Sequence, residues 1–399
     1  MNKIKKMIVI LRRRILFFFL WPLCFEIFKR SPVNEKLILF AYNKNYSEMP
    51  DNMVGLYNYF KENGYDCRVM NSPKNGIKRF FFNFKFEKYY AKSKCVFLTD
   101  NFDPVYVRKP REGSLVVQLW QACGAFKKWG YSTLDLAWGG DRKTMLHFPM
   151  HNTYTDVFVS SKAVVPNYAE AFGCKEEIIK PLGTPRTDVF FDESFVSSAR
   201  EKLLNLFPEI GKRKIILYAP TFRGNNPDES YNENRLDFEK LSFALSDEYV
   251  LVLKLHPFTA KKFDLTKDEK EKYSSFVFNA SNLIETDVAL CAADILIADY
   301  SSLIFEFSLL QKPMLFFAYD LEEYDRDRSF YYDYKSFIPG KLVTDTDEIV
   351  SAIKSKDFES EKILPFKEKF MSACNGESTK RIAEYVIEKF GLNKKPPTV

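Results

Sequence analysis

Metal and disulfide chemistry are the first things this sequence does without. Its seven cysteines, Cys24, Cys67, Cys95, Cys123, Cys174, Cys291 and Cys374, are odd in number and show neither CxxC nor CxH spacing. They read as reduced thiols packed as small apolar side chains in a reducing compartment, with no zinc site among them. Histidine is scarce, at three residues in 399. Neither G-x-G-x-x-G nor a Walker A motif occurs, so dinucleotide and P-loop chemistry have no local support. No bilayer-spanning run of ~20 apolar residues exists in the N-terminal tail, where the longest uncharged stretch, Ile15 to Phe25, is 11 residues and contains Pro22. A basic body is missing too. The net charge is +6, but residues 1–30 carry eight basic side chains against Glu26 alone, and the rest of the chain sums to −1. A near-neutral body argues against a nucleic-acid surface.

The N-terminal 30 residues combine that charge with a Phe/Leu/Trp cluster, and no small-x-small cleavage site follows Phe25. Arginines flanking such a cluster suit a helix lying in the interface of an anionic membrane. The other reading is an ordinary N-terminal helix packed on the body.

From Glu35 onward, apolar strands alternate with helical stretches. Strands are expected at 36–43, 67–71, 95–101, 114–120 and 156–161, with a helix over 52–64 stopped at Gly64. A second set is expected at 214–220, 249–257, 276–280, 295–300 and 313–319. Their continuous apolar character fits strands buried on both faces of parallel sheets. Two such sets in a chain too long for one core predict an α/β protein of two Rossmann-like domains with a cleft between them. The expected boundaries are a basic amphipathic segment over 1–33, one domain over 34–192, a second over 193–391, and a disordered tail over 392–399.

Several stretches could carry chemistry. In "ADILIADYSSLIFEF" (293–307), a buried strand ends at Asp299 and Ser301-Ser302 opens a helix. Hydroxyls and free N–H groups there suit a phosphate, although Ser301 could equally serve only as a helix cap. "YDLEEYDRDRSFYYDY" (319–334) offers Arg328 as a guanidinium fork for a diphosphate. In "LKLHPF", His256 ends a strand before Pro257, which is expected to force an extended exit. His147 and His151 lie upstream of the first domain's last strand. "PLGTPRTDVFF" and "LYAPTFRG" place Arg186, Thr221 and Arg223 in turns after strands. Either arginine could contact an anion or hold domains together through an ion pair. Finally, "VQLWQACGAFKKWGYS" (117–132) runs strand, tight turn, then Lys127-Lys128, with Gln121 at its tip.

Taken together, "LGTPRTDVFF", "ILYAPTFRG", "LKLHP", "ADILIADYSSLIFEF" and "FFAYDLEEYDRDRSFYYDY" resemble the CDP-glycerol glycerophosphotransferase family of teichoic acid synthesis, in its order and approximate spacing, over residues 36 to 390. The resemblance implies a GT-B fold, two Rossmann-like domains facing across a cleft. It implies transfer of polyol phosphate, glycerol phosphate first, from CDP-glycerol or CDP-ribitol to a hydroxyl of a lipid-linked saccharide. CMP would be released at the cytoplasmic face of the cell membrane, with the protein bound peripherally. It implies no cofactor. Carried over by position, His256 would act on the transferred phosphoryl group, while Ser301, Ser302 and Arg328 would hold the diphosphate; Asp299, Arg186, Thr221 and Arg223 are further expected substrate contacts. The acceptor would enter along Gln121 and Lys127. In the family, Arg328 is followed by Gly, where this chain has Ser329. The family's Trp-His loop here reads Trp120-Gln121, and an amide cannot take a proton. Three readings follow: His151 supplies the base, transfer needs little base help because its loose transition state depends on positioning and charge, or the chain binds donor without turnover. A GT-B glycosyltransferase using a nucleotide sugar is the rival enzyme.

Overall fold

The computed structural model describes residues 3–43, 48–74, 76–134, 136, 139–223, 235–260 and 265–391. The expected tail over 392–399 lies outside the described residues.

The first sheet is built from β1 (Asn34–Asn43), β2 (Asp66–Ser72), β3 (Ser93–Leu98), β4 (Leu115–Gln118), β5 (Asp156–Phe158) and β6 (Ile179–Lys180). All pairings are parallel, in the order β2-β1-β3-β4-β5-β6, with Phe40 facing Phe97 and Val117 facing Asp156 in register. β3 is buried throughout and β1 from Leu37 to Tyr42, as their apolar runs require. Ile38, Phe40, Phe97 and Val117 form one core with Leu56 and Phe60 of the helix Asp51–Glu62. Gly64, just beyond it at φ +78°, supplies the left-handed residue that ends the helix.

The second sheet comprises β7 (Lys214–Tyr218), β8 (Tyr249–Leu253), β9 (Val277–Asn279), β10 (Ile295–Ala298), β11 (Met314–Phe317) and β12 (Lys341–Val343). It is parallel throughout, in the order β12-β11-β10-β7-β8-β9. This is the doubly wound order, whose direction reverses between β7 and β10. Ile216, Leu251, Ile297, Leu315 and Val343 centre its core. The short edge strands β6 and β12 were not foreseen, because two or three residues give no periodicity to read.

The chain forms two compact units, and neither is one continuous segment. The first contains residues up to Ala122, Trp129–Asp188 and everything from Ala373; the second contains Cys123–Lys128 and Val189–Ser372. The last helix, Ser378–Lys389, therefore does not join the second domain as expected. Its Ile382, Ala383 and Val386 complete the first core. Asp188 secures it by accepting from the backbone N–H groups of Ser378 at 2.9 Å and Thr379 at 2.8 Å.

The N-terminal segment is helical from Lys3 to Phe28, α-helical but for a π-helical stretch over Leu16–Leu20 just before Pro22. Proline cannot donate a backbone hydrogen bond and its ring crowds the preceding turn, which a wider turn accommodates. Phe17, Trp21 and Cys24 are buried against Phe80 and Val107, while Met7, Leu11, Phe19 and Leu23 are exposed. The segment thus packs on the first unit by one stripe and leaves a second apolar stripe uncovered. No helix among the described residues is long and apolar enough to cross a membrane.

Candidate functional site

The carboxyl ends of β7, β8, β10 and β11 converge at the point where the second sheet's strand order reverses. Beyond β7, the Thr221 N–H donates to Asp299 Oδ1 at 2.8 Å, and Arg223 turns back over the sheet. Arg223 donates from Nη1 to Asp299 Oδ2 at 2.9 Å, and from Nε and Nη2 to both Asp320 oxygens at 2.6 and 3.0 Å. Tyr300 Oη adds a hydrogen bond to Asp320 at 2.8 Å, and its ring stacks on Tyr324 with centroids 3.8 Å apart. The guanidinium lies 5.1 Å from the Tyr300 centroid and 4.9 Å from that of Tyr324. Burial alone would lower the pKa of Arg223, but Asp299 and Asp320 drive it upward, so the group stays charged.

This geometry reassigns two expected anion contacts. Arg223 and Asp299 lock three strand ends together within one unit. They do not bridge domains, and the guanidinium's donors are directed to two carboxylates and to the Thr221 carbonyl at 2.7 Å. Asp320 and Tyr300 complete the lock and were missed as functional candidates. The only sequence signal for Asp320 was an acidic residue shortly after an apolar strand. Thr221 Oγ1 is buried with no hydrogen-bond partner among the described residues.

Ser301 Oγ accepts from the Leu303 N–H at 3.3 Å, one position ahead of the N-cap. Ser302 takes the N-cap position of the helix Leu303–Leu309 without a side-chain cap bond. Both serines are partly exposed at the turn after β10. Beyond β8, Pro257 starts a one-turn helix, Pro257–Ala260, where an extended exit was expected. Proline's preset φ and missing N–H suit a first helical position. The His256 carbonyl accepts from the N–H groups of Thr259 and Ala260 at 2.9 Å, which fixes the turn. Its imidazole sits 4.8 Å from the Phe222 ring centroid. Burial first and the charge of Lys127 second lower its pKa to about 4, so the ring is neutral at pH 7.

Lys127 is the largest relocation. The sequence reading put it with the first domain and the acceptor, but Cys123–Lys128 belongs to the second unit. Lys127 bridges Phe330 in an antiparallel pair, the Tyr331 N–H donates to the Phe126 carbonyl at 2.9 Å, and the Lys128 N–H donates to the Ser329 carbonyl at 3.1 Å. Lys127 Nζ reaches Tyr324 Oη at 3.4 Å. It therefore stands with His256 and the tyrosines, adding positive charge at the second sheet's carboxyl edge. Arg328 ends the helix Leu321–Arg328, and Ser329 follows at φ +53°, ψ +131°. That backbone suits glycine, the family's residue there, and the strand-like pairing with Lys128 holds serine in it. Replacing Ser329 with Gly should raise stability by about 1 kcal/mol, read as a higher urea midpoint with an unchanged slope.

Gln121 and Arg186 meet in the first unit, where Arg186 Nη1 donates to the Gln121 carbonyl at 3.0 Å. Gln121 is exposed, and Trp120 before it has φ +55°. The Trp120 N–H donates to Gln118 Oε1 at 2.9 Å, and its carbonyl accepts from Asn52 Nδ2. Gln118 Nε2 reaches Tyr154 Oη at 2.9 Å, which in turn lies 3.0 Å from His151 Nδ1. His151 is buried among Trp120, Tyr131, Tyr154 and Phe172, and burial lowers its pKa to about 3. A 2% exposed imidazole tied to a phenol is a core group that braces the Trp120 turn, not a base open to an acceptor hydroxyl. His147, exposed at the end of the helix Arg142–His147, takes no part in this network. Among the described residues, no three His, Cys, Asp or Glu side chains are grouped to hold a metal ion.

A family model for CDP-glycerol:poly(glycerophosphate) glycerophosphotransferases matches residues 23–388. The teichoic acid poly(ribitol-phosphate) polymerase of Bacillus spizizenii is 35% identical over 372 residues, 92% of this chain and 59% of that protein. The chain thus spans about three fifths of that polymerase's length. The teichoic acid glycerol-phosphate primase of Bacillus subtilis is 33% identical over 295 residues, 73% of each chain. Among solved structures, the wall teichoic acid polymerase TagF shares the fold with a TM-score of 0.74 at 21% identity, over 99% of this chain and 100% of that one.

Proposed function

The chain belongs to the CDP-glycerol:poly(glycerophosphate) glycerophosphotransferase family, and from that premise we propose that it transfers polyol phosphate from a CDP-polyol to an acceptor hydroxyl. The acceptor oxygen attacks the polyol-bearing phosphorus, the bond from that phosphorus to the CMP oxygen breaks, and CMP leaves. The observation that carries the reading is the grouping of a cation, Lys127, a neutral imidazole, His256, and the Ser301-Ser302 turn at the second sheet's point of strand reversal. Such crevices are where open α/β sheets take nucleotides. In this reading, Ser301, Ser302, Thr221 and Arg328 hold the diphosphate, and Lys127 neutralises charge that grows on the departing CMP. His256 hydrogen-bonds the transferring phosphoryl group, and the approach of that anion raises its proton affinity. Arg223 and Asp299 position this edge. Gln121 and Arg186 orient the acceptor on the first unit.

The acceptor is a lipid-linked saccharide, met at the cytoplasmic face of an anionic membrane through the exposed apolar stripe of the N-terminal helix. Since His151 is enclosed, transfer on this chain rests on positioning and charge stabilisation more than on a base at the Gln121 loop. The test is nucleotide release from purified protein with a lipid-linked disaccharide, offered CDP-glycerol, CDP-ribitol and UDP-sugars separately. Acceptor-dependent CMP from one CDP-polyol is the expected result and names the polyol, on which the relatives divide. Nucleoside diphosphate from a UDP-sugar would replace the reading with a glycosyltransferase. Tight CDP-polyol binding without CMP would make the chain a binding-only member.

A further inference from the structure

The first sheet also reverses its strand order, between β1 and β3. A cavity of about 630 Å³ opens beside the carboxyl ends of these strands, lined by Arg13, Asn43, Lys74, Arg79, Asn101 and Tyr106, with Asp103 at its wall. Asn43 is the last residue of β1, and its Nδ2 donates to the Asn101 carbonyl at 2.5 Å. Asp103 is paired with Arg79 at 2.5 Å, which leaves Arg13 and Lys74 as excess positive charge. Arg13 is held by the rings of Phe148 and Phe17, 4.4 and 5.5 Å from its guanidinium carbon. Asn101 Oδ1 is buried and has no hydrogen-bond partner among the described residues. Cations call for an anion, while a buried amide oxygen calls for a donor, which a phosphate diester lacks and a sugar hydroxyl has.

Two of the cavity's cations come from helices that also expose apolar side chains. Arg13 shares its helix with Met7, Leu11 and Phe19, and Arg79 shares the helix Gly76–Tyr90 with Ile77 and Phe81, 73% and 63% exposed. Polar recognition and an apolar surface are thus carried by the same two elements.

We propose that this cavity binds the phosphate-bearing saccharide headgroup of a lipid-linked acceptor, with its lipid against the exposed apolar residues. The assignment rests on the transferase reading, and it is separate from the donor residues because every residue named lies in the first unit. Arg13 and Lys74 meet the phosphate, Asn101 Oδ1 accepts from a sugar hydroxyl, and Tyr106 walls the ring.

The test is equilibrium binding of a polyprenyl-diphosphate disaccharide, embedded in phosphatidylcholine nanodiscs, to the full chain. Lys74→Ala with Arg79→Gln should weaken it by at least ~10-fold, since a charge-assisted contact contributes about 1.5–3 kcal/mol. CDP-polyol binding should stay within about twofold, its residues being in the other unit. Because Arg79 also pairs with Asp103, Asn101→Asp serves as a second variant. It leaves that pair intact, puts a like charge beside the phosphate, and should also weaken binding by ~10-fold. Wild-type affinity in both variants would overturn the assignment. So would an equal loss on nanodiscs carrying phosphatidylglycerol without the disaccharide, which would make the cavity a general anionic-lipid contact. Binding is read without turnover, so a chain that releases no CMP would refute the transferase reading and still leave this result legible.

Discussion

His256→Ala should lower kcat/KM for CMP release by about 10²–10⁴-fold while leaving the thermal midpoint near that of the parent. The structure supports that split, because His256 fixes its turn through its backbone carbonyl and its imidazole is only partly buried. A variant that turns over at near-parent rate would remove His256 from the mechanism. The pH profile adds a second readout. With the free-protein pKa at about 4, a neutral imidazole prevails from pH 5 upward. Hence kcat/KM should lack the acid limb near ~6.5 that an unperturbed histidine gives. A bound diphosphate favours the imidazolium form, so the limb in kcat should lie at higher pH than the limb in kcat/KM. Stability carries the same sign. A histidine whose folded pKa is depressed costs stability as pH falls from the unfolded value of 6.5 towards about 4 for His256 and about 3 for His151. The unfolded chain binds the proton first, so stability should rise with pH across that window.

Arg223→Met should cost about 3–5 kcal/mol, because it strands two carboxylates that its guanidinium neutralises. Asp299 is 2% exposed, and the ion pairs at 2.9 and 2.6 Å are its and Asp320's links to that charge. Adding Asp299→Asn and Asp320→Asn to the same chain should recover part of the loss, since neutral amides tolerate burial better than unpaired charges. Urea unfolding of the single and triple variants checks both statements. If Arg223 instead held the diphosphate directly, Arg223→Lys would raise KM for the CDP-polyol with stability intact. The lock reading expects lysine to destabilise as well, because a point charge cannot make the three directed bonds that the planar fork makes.

Much of this architecture was legible in the sequence. Most of the ten strands that were foreseen are apolar runs, and burial on both faces of a parallel sheet produces that pattern directly, whereas the edge strand β2 is polar and largely uncovered. The turn after β10 was legible because strand, Asp, Tyr and paired Ser stand next to one another. What could not be read were relations between distant segments. Nothing in "CGAFKK" announces that Phe126 to Lys128 will pair with Ser329 to Tyr331, because antiparallel bridges of this length leave no periodic trace. Arg223 looked like an anion ligand because its two carboxylates lie 76 and 97 residues further on. His151 looked like a spare base because burial among aromatics is a property of the packed core. Ser329 was legible only as a departure from glycine, and the backbone angle supplies its meaning.

The interleaving of the two units constrains the order in which the molecule can be made. The ribosome completes every strand of the first sheet before the first strand of the second, yet the helix that covers part of the first sheet follows the whole of the second unit. Until Ile382, Ala383, Val386 and Phe390 arrive, the apolar face formed by Ile38, Phe40 and Val117 lacks its cover. Likewise, the ribbon from Cys123 to Lys128 waits for Ser329 to Tyr331, some two hundred residues later. Neither unit can therefore be finished before the other is nearly synthesised. A nascent chain of this kind depends on being held soluble through translation, and a chain cut between Ser372 and Ser378 would spoil the first unit while sparing the second.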